Sequence, residues 1–189
     1  MSVSILPADM EISHAFFTIS QHLTIKSGPK EKLYEVRYPS LRLKKKAYVL
    51  SAGESEELVV WLAPVWGVNW NIMVSLPDDQ ILGVLQKEKE SKTGLAVWVA
   101  RDYRGHQLLT VKPVGSLMNR LRKKITLFSS REDRIFVDQQ MIGSFTTHSG
   151  YIHERYSVHL ESPAEKLVDP RMLLSAIVTL TGIFARVFT

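Results

Sequence analysis

Asp169-Pro170-Arg171-Met172-Leu173-Leu174-Ser175-Ala176-Ile177-Val178-Thr179-Leu180 is the stretch that decides the architecture. Asp169 is a good N-cap, because its carboxylate accepts a free amide of the first turn. Pro170 suits the first helical position, where its missing N–H costs nothing. From Met172 to Ala185 no residue is charged, and the run ends at Arg186. A helix over residues 172–185 is about 21 Å long at 1.5 Å per residue, short of the roughly 30 Å hydrocarbon core of a bilayer. A tail anchor is the competing reading, and the length and the tight Asp-Pro start speak against it. A helix apolar nearly all round must be buried on all sides, and a closed β-barrel is one container able to do that.

The chain before the helix supplies the container. Short apolar runs alternate with turn residues from about residue 14 to residue 160. Leu23-Thr24-Ile25, Leu33-Tyr34-Glu35-Val36, Leu41 with Leu43, Tyr48-Val49-Leu50 and Leu58 to Leu62 come first. The middle carries Trp70 to Val74, Ile81 to Leu85, Leu95 to Ala100 and Leu108 to Val111. Ile125 to Phe128, Ile135 to Val137, Met141 to Gly143 and Tyr151 to Leu160 complete the set. Runs of this kind, broken by Gly, Pro, Asp and Ser, predict about a dozen strands of a sandwich or barrel. Residues 112–124 read as an irregular or short helical insertion, and 1–13 as an extended N-terminal arm. The chain is thus expected to be mainly β, a single domain over 1–189. The dozen or so strands would form a sandwich or a closed antiparallel barrel, the barrel being a container that suits the apolar C-terminal helix.

Composition narrows the chemistry. With 45% hydrophobic and 23% charged residues in 189, the chain has the make-up of a folded domain. It contains no cysteine, which rules out disulfides, thiolate metal sites and a cysteine nucleophile. The first residues have neither the basic start nor the apolar run of a secretory signal. The expected setting is reducing, intracellular and cytoplasmic, extending to the periphery of a membrane. A net charge of +5 favours anionic partners, although it is also an ordinary solubility charge.

Two basic clusters stand out: Arg42, Lys44, Lys45 and Lys46, and then Arg120, Arg122, Lys123 and Lys124. If residues 41–44 are a strand, Arg42 and Lys44 share one face and Leu41 and Leu43 the other. Either cluster suits a phosphorylated headgroup, with Arg as a bidentate fork and Lys as a compact charge. Either also suits the solvated outer wall of a barrel. Trp66-Gly67-Val68-Asn69-Trp70 fits a membrane interface or a core anchor. Both clusters are flanked by Leu rather than by aromatics, which disfavours nucleic acid. His153, Arg155 and His159 would share a strand face, but the arginine is a poor neighbour for a metal ion, and no carboxylate is evident on that face. The chain has no Gly-x-Ser-x-Gly elbow, phosphate-binding Gly-rich loop or His-Glu-x-x-His helix. Asp78-Asp79 and Glu132-Asp133 read as turn carboxylates. Neither a catalytic centre nor a cofactor or metal site is expected.

The order of these segments resembles the tubby-like C-terminal domain superfamily, in particular its LURP-one-related and phospholipid scramblase-like members. Three features carry the resemblance. The first is Leu33 to Val36 running into Leu41 to Leu50 and then Glu57 to Trp61. The second is the paired hairpins, Trp70-Asn71-Ile72 to Ile81-Leu82-Gly83-Val84 and Trp98 to Gly105 with Leu108-Leu109. The third is Asp169 to Leu174 leading an apolar helix. The resemblance spans nearly the whole chain and implies a twelve-stranded barrel with a central helix. It also implies a phosphoinositide-type headgroup bound by basic residues, which here means the two clusters. The upstream cysteines of scramblases are absent, which puts lipid translocation in doubt. The leading expectation is a non-enzymatic barrel that binds an anionic phospholipid membrane surface or a protein partner. Lipid translocation or transfer, and a protein-interaction module without lipid, are the alternatives.

Overall fold

The computed structural model describes residues 6–15, 21–28, 31–38, 47–51, 58–65, 71–89, 96–115, 129–149, 154–161 and 164–181. Twelve strands follow one another: β1 (Asp9–Ala15), β2 (Gln21–Ser27), β3 (Glu31–Tyr38), β4 (Ala47–Ser51), β5 (Leu58–Val65) and β6 (Asn71–Ser75). Then come β7 (Ile81–Lys89), β8 (Ala96–Asp102), β9 (Gln107–Pro113), β10 (Ser129–Val137), β11 (Gln140–Ser149) and β12 (Glu154–Leu160). Two helices close the described chain, α1 (Ala164–Leu167) and α2 (Pro170–Leu180). Each strand pairs antiparallel with its sequence neighbours, and β1 pairs with β12, so the sheet closes into a barrel without edges.

Alternation along the strands builds the wall. In β3, Tyr34 and Val36 are buried while Glu35 and Arg37 face outward and pair with each other at 2.7 Å. Leu23 and Ile25 of β2, Val49 of β4 and Val60 and Leu62 of β5 repeat the inward half of the pattern. β1 corrects the reading of 1–13 as an arm outside the strands. Asp9 to Ser13 pair with Arg155 to His159 and supply the stave that closes the barrel. Met10 and Ile12 are buried there, with exposed Glu11 between them. The segment alternates with period two, but its polar residues outnumber its two apolar ones.

β10 is the second departure. The expected strand at Ile125–Phe128 lies outside the described residues, and so do Leu41–Leu43. β10 contains the expected strand Ile135 to Val137 and begins further upstream, running through Arg131-Glu132-Asp133-Arg134, so Glu132 and Asp133 are strand residues rather than turn carboxylates. Residues two apart in a strand share a face, and each face neutralises its own charges. Arg131 pairs with Asp133 at 3.2 Å on the inner register, and Arg134 with Glu132 at 3.0 Å on the outer. Lys112 and Pro113, read as part of an insertion, end β9; residues 116–124 are not among those described.

α2 occupies the barrel. Every residue from Met172 to Thr181 is buried, and ten residues are nearly three turns, so no side of the helix meets water. Its polar side chains are satisfied within the helix: Ser175 Oγ donates to the Arg171 carbonyl at 2.6 Å and Thr179 Oγ1 to that of Ser175 at 2.8 Å. Residues 182–185, expected to continue the helix, lie outside the described residues. Among those described, no helix is long and apolar enough to cross a membrane.

Both ends of the plug are tied. At its start the Asp169 carboxylate accepts the Arg171 amide at 2.8 Å and pairs with Arg171 Nη2 at 2.6 Å. At its end Tyr156 Oη, on β12, donates to the Thr181 carbonyl at 2.8 Å, satisfying one of the carbonyls a helix end leaves open. Tyr156→Phe strands that buried carbonyl, and is expected to cost about 1–3 kcal/mol. Urea denaturation followed by far-UV circular dichroism checks it, and an unchanged midpoint would contradict it.

The Asp169 carboxyl lies below its ordinary value of 3.8. Burial pushes it up, but the Arg171 side chain and the amides of Arg171 and Met172 outweigh burial. A folded value below the unfolded one adds stability that is complete above the unfolded value and fades as pH falls through the folded one. Asp169→Asn keeps a capping side chain and loses the charge. The variant is expected to melt below wild type at neutral pH, with the gap closing in acid below the ordinary aspartate range. Melting curves across that range test it, and a gap constant into acid would contradict it.

Candidate functional site

Strand direction assigns every connection to one of two rims. β1 runs away from the end at which α2 begins. The lower rim, beside Pro170, therefore holds Asp9, Ser27, Glu31, Ser75, Ile81, Asp102, Val137 and Leu160. The upper rim holds Ala15, Tyr38, Ala47, Val65, Asn71, Pro113 and Ser129. Among the described residues, five register shifts sit towards the lower rim, at Ile25/Lys26, Val49/Leu50, Val74/Ser75, Ala100/Arg101 and Ile135/Phe136. Bulges at a rim add twist and help a sheet close.

Arg42, Lys44, Lys45 and Lys46 lie outside the described residues, as do Arg120, Arg122, Lys123 and Lys124. The described strand ends that flank them are informative. The first cluster falls between Tyr38 and Ala47 and the second between Pro113 and Ser129, and all four of these ends stand at the upper rim. The Trp66–Trp70 segment, also outside the described residues, falls between two further upper ends, Val65 and Asn71. Moreover, the β3–β4 and β9–β10 connections are six staves apart in a ring of twelve. They leave from opposite sides of the mouth.

In the sequence, charge is unevenly divided among the connections that join these strand ends; Glu90, Lys92 and both basic clusters lie outside the described residues. The six connections of the upper rim contain nine Lys and Arg against a single Glu, Glu90. The five lower loops and residues 161–169 contain nine Asp and Glu against three Lys and Arg. The lower carboxylates are well placed. Asp102 accepts the amides of Arg104 and His106, each at 2.8 Å, in the turn that presents Tyr103 to solvent. Burial pushes the Asp102 carboxyl up, but those amides and the His106 ring hold it below the usual range. Asp78 lies close enough to reinforce the charge on Arg171.

The N-terminus of α2, equivalent to roughly half a positive charge, meets the rim where Asp78, Asp102 and Asp138 stand.

Other expectations resolve differently. Arg155 and His159 are exposed on the outer face of β12, whereas His153 lies outside the described residues. A carboxylate does join that face: Asp9, on the neighbouring β1, meets His159 Nδ1 at 2.8 Å across the closing seam. Among the described residues no group of three potential metal ligands comes together. The inner register towards the upper rim carries a polar patch that was missed. Asp133 is buried against Arg131, and the buried Thr147 hydroxyl has no hydrogen-bond partner among the described residues. Only the pairing of Arg131 with Thr147 brings these groups together. No family model, curated protein or solved structure matches the chain.

Proposed function

We propose that this barrel is a non-enzymatic module that binds anionic membrane lipid through its upper rim. The supporting observation is that both basic clusters belong to connections leaving the same rim, so their charges act together. The twelve staves around a buried helix agree with the architecture implied by the resemblance to tubby-like domains, and that agreement supports a headgroup-binding reading. The plug argues against carriage of lipid in the lumen, since Leu173, Leu174, Ile177 and Val178 are fully buried there.

Each basic side chain near an anionic surface contributes about 1 kcal/mol. Removing charge from Arg42, Lys44, Lys45 and Lys46 together is therefore expected to weaken binding by up to about 10³-fold at low salt. Sedimentation with phosphatidylcholine vesicles, with and without phosphatidylserine or a phosphoinositide, is the test. Absence of binding to the anionic vesicles at physiological salt would sink the proposal, as would binding indifferent to those four substitutions. A protein captured equally well by the barrel lacking both clusters would favour the interaction-module alternative.

A further inference from the structure

We infer that the lower rim, from β6 round to β11, is a docking surface for a basic segment of a partner protein that also carries large apolar side chains. The inference is independent of lipid binding and concerns the other end of the barrel. Three loops follow one another along this arc: residues 76–80, 103–106 and 138–139. Asp78, Asp79, Asp102 and Asp138 stand on or beside them, against one cation, Arg104. Apolar groups share the arc. The large hydrophobic side chains exposed among the described residues are Ile81, Tyr103, Leu167 and Val114, and the first three stand at this rim. Ile81 begins β7, and Tyr103 follows β8, which pairs with it. Leu167 ends α1, two residues before the cap of α2, whose Met172 side chain lies against Gly83 of β7. An apolar centre bordered by charge is the make-up of a protein interface.

The sign of that charge selects the occupant. A second copy docked face to face would oppose carboxylate with carboxylate. Nucleic acid and anionic bilayers are repelled. A polyamine matches the charge but leaves Ile81, Tyr103 and Leu167 in water. A basic segment with apolar anchors satisfies both. The loops need little ordering to receive it. Asp79 N donates to the Leu76 carbonyl and Gly105 N to that of Asp102, each at 3.0 Å, closing two of the turns. Asp79 and Asp138 hold left-handed backbone, with φ of 65° and 52°, which aspartate tolerates. A preformed surface loses little entropy on binding. The first and last loops are four staves apart, roughly 20 Å across the ring, the span of about six extended residues.

Three fluorescein-labelled decapeptides test this by anisotropy with the full chain. One is built from Lys, Arg, Leu and Trp, one from Lys, Arg and Ser, and one from Glu, Leu and Trp. The first should bind more tightly than either of the others by about tenfold or more. Tyr103→Ser should weaken that binding about tenfold, as loss of an aromatic anchor does. Asp78→Asn/Asp79→Asn/Asp138→Asn should weaken it by a similar factor and flatten its dependence on salt. Asparagine also tolerates left-handed backbone, so melting curves of both variants should match wild type. No binding of the first peptide at millimolar concentration overturns the inference, as does equal binding of the serine peptide or binding indifferent to either variant. Self-association of the chain that Tyr103→Ser abolishes would assign the face to a second copy, and overturns it too.

Discussion

Replacing Ile177 with aspartate is expected to abolish the cooperative fold. Ile177 lies in the middle of α2 and is fully buried. Truncating such a side chain costs about 2–5 kcal/mol through lost contacts and the cavity left behind. The aspartate adds a carboxyl with no water to solvate it, at a further cost of several kcal/mol, whether it stays ionised or takes up a proton. A domain of this size has about 5–15 kcal/mol in total. The expected observation is a circular dichroism signal with no sigmoidal melt, and loss of the near-UV bands from buried aromatics such as the Phe145–Tyr156 pair. Ile177→Val is the control and should cost about 0.5–1.5 kcal/mol. A tail anchor lying outside the barrel would leave the melt of Ile177→Asp close to wild type, and that result would refute the plug.

The plug was legible because its signals are local. Asp169, Pro170 and the charge-free run need no partner to be recognised, and the cap forms as expected, with the Asp169 carboxylate 2.8 Å from the Arg171 amide. Strands such as β3 and β5 were legible for the same reason. β1 and the first half of β10 were not, because their meaning depends on neighbours. Met10 and Ile12 look like scattered apolar residues until β12 and β2 flank them. Arg131 to Arg134 look like a turn until the i, i+2 ion pairs show a strand neutralising its own charge.

The candidate site failed to be legible through strand parity. A connection belongs to one rim or the other according to whether an odd or even number of strands precedes it. Reading Leu41 and Leu43 as a strand places Arg42 and Lys44 on a wall and exchanges the rims for everything downstream. In the described topology no strand is needed there, since β3 pairs directly with β4. That the strand ends flanking both clusters stand at one rim depends on that pairing, and local pattern cannot supply it.

Adding one methyl group at Gly83 is expected to be nearly as damaging as much larger core changes. Gly83 lies on the inner register of β7, opposite Asp102, beside the shift in register at Ala100/Arg101. A Cβ built there would stand 2.2 Å from the Arg101 carbonyl oxygen and 2.5 Å from Met172 Cε. The methionine end is flexible and can move aside; a ladder carbonyl cannot, without dragging β8 with it. Overpacking of this kind costs about 1–3 kcal/mol and occasionally more. Removing a glycine from a strand returns only about 0.5–1 kcal/mol. A backbone contact of 2.2 Å puts the cost at or above the top of the overpacking range, so we expect Gly83→Ala to lose about 2–3 kcal/mol net, or roughly 5–10 °C in melting temperature for a domain of this length. A double-mutant cycle identifies which contact is responsible. Met172→Ala removes the soft clash and leaves the hard one, so the pair Gly83→Ala/Met172→Ala should remain at least as unstable as Gly83→Ala alone. Restoration of the wild-type midpoint by Met172→Ala would assign the glycine to the packing of the plug. If the midpoint stays low, Gly83 is required by the close approach of β7 to β8 at the rim where the register shifts.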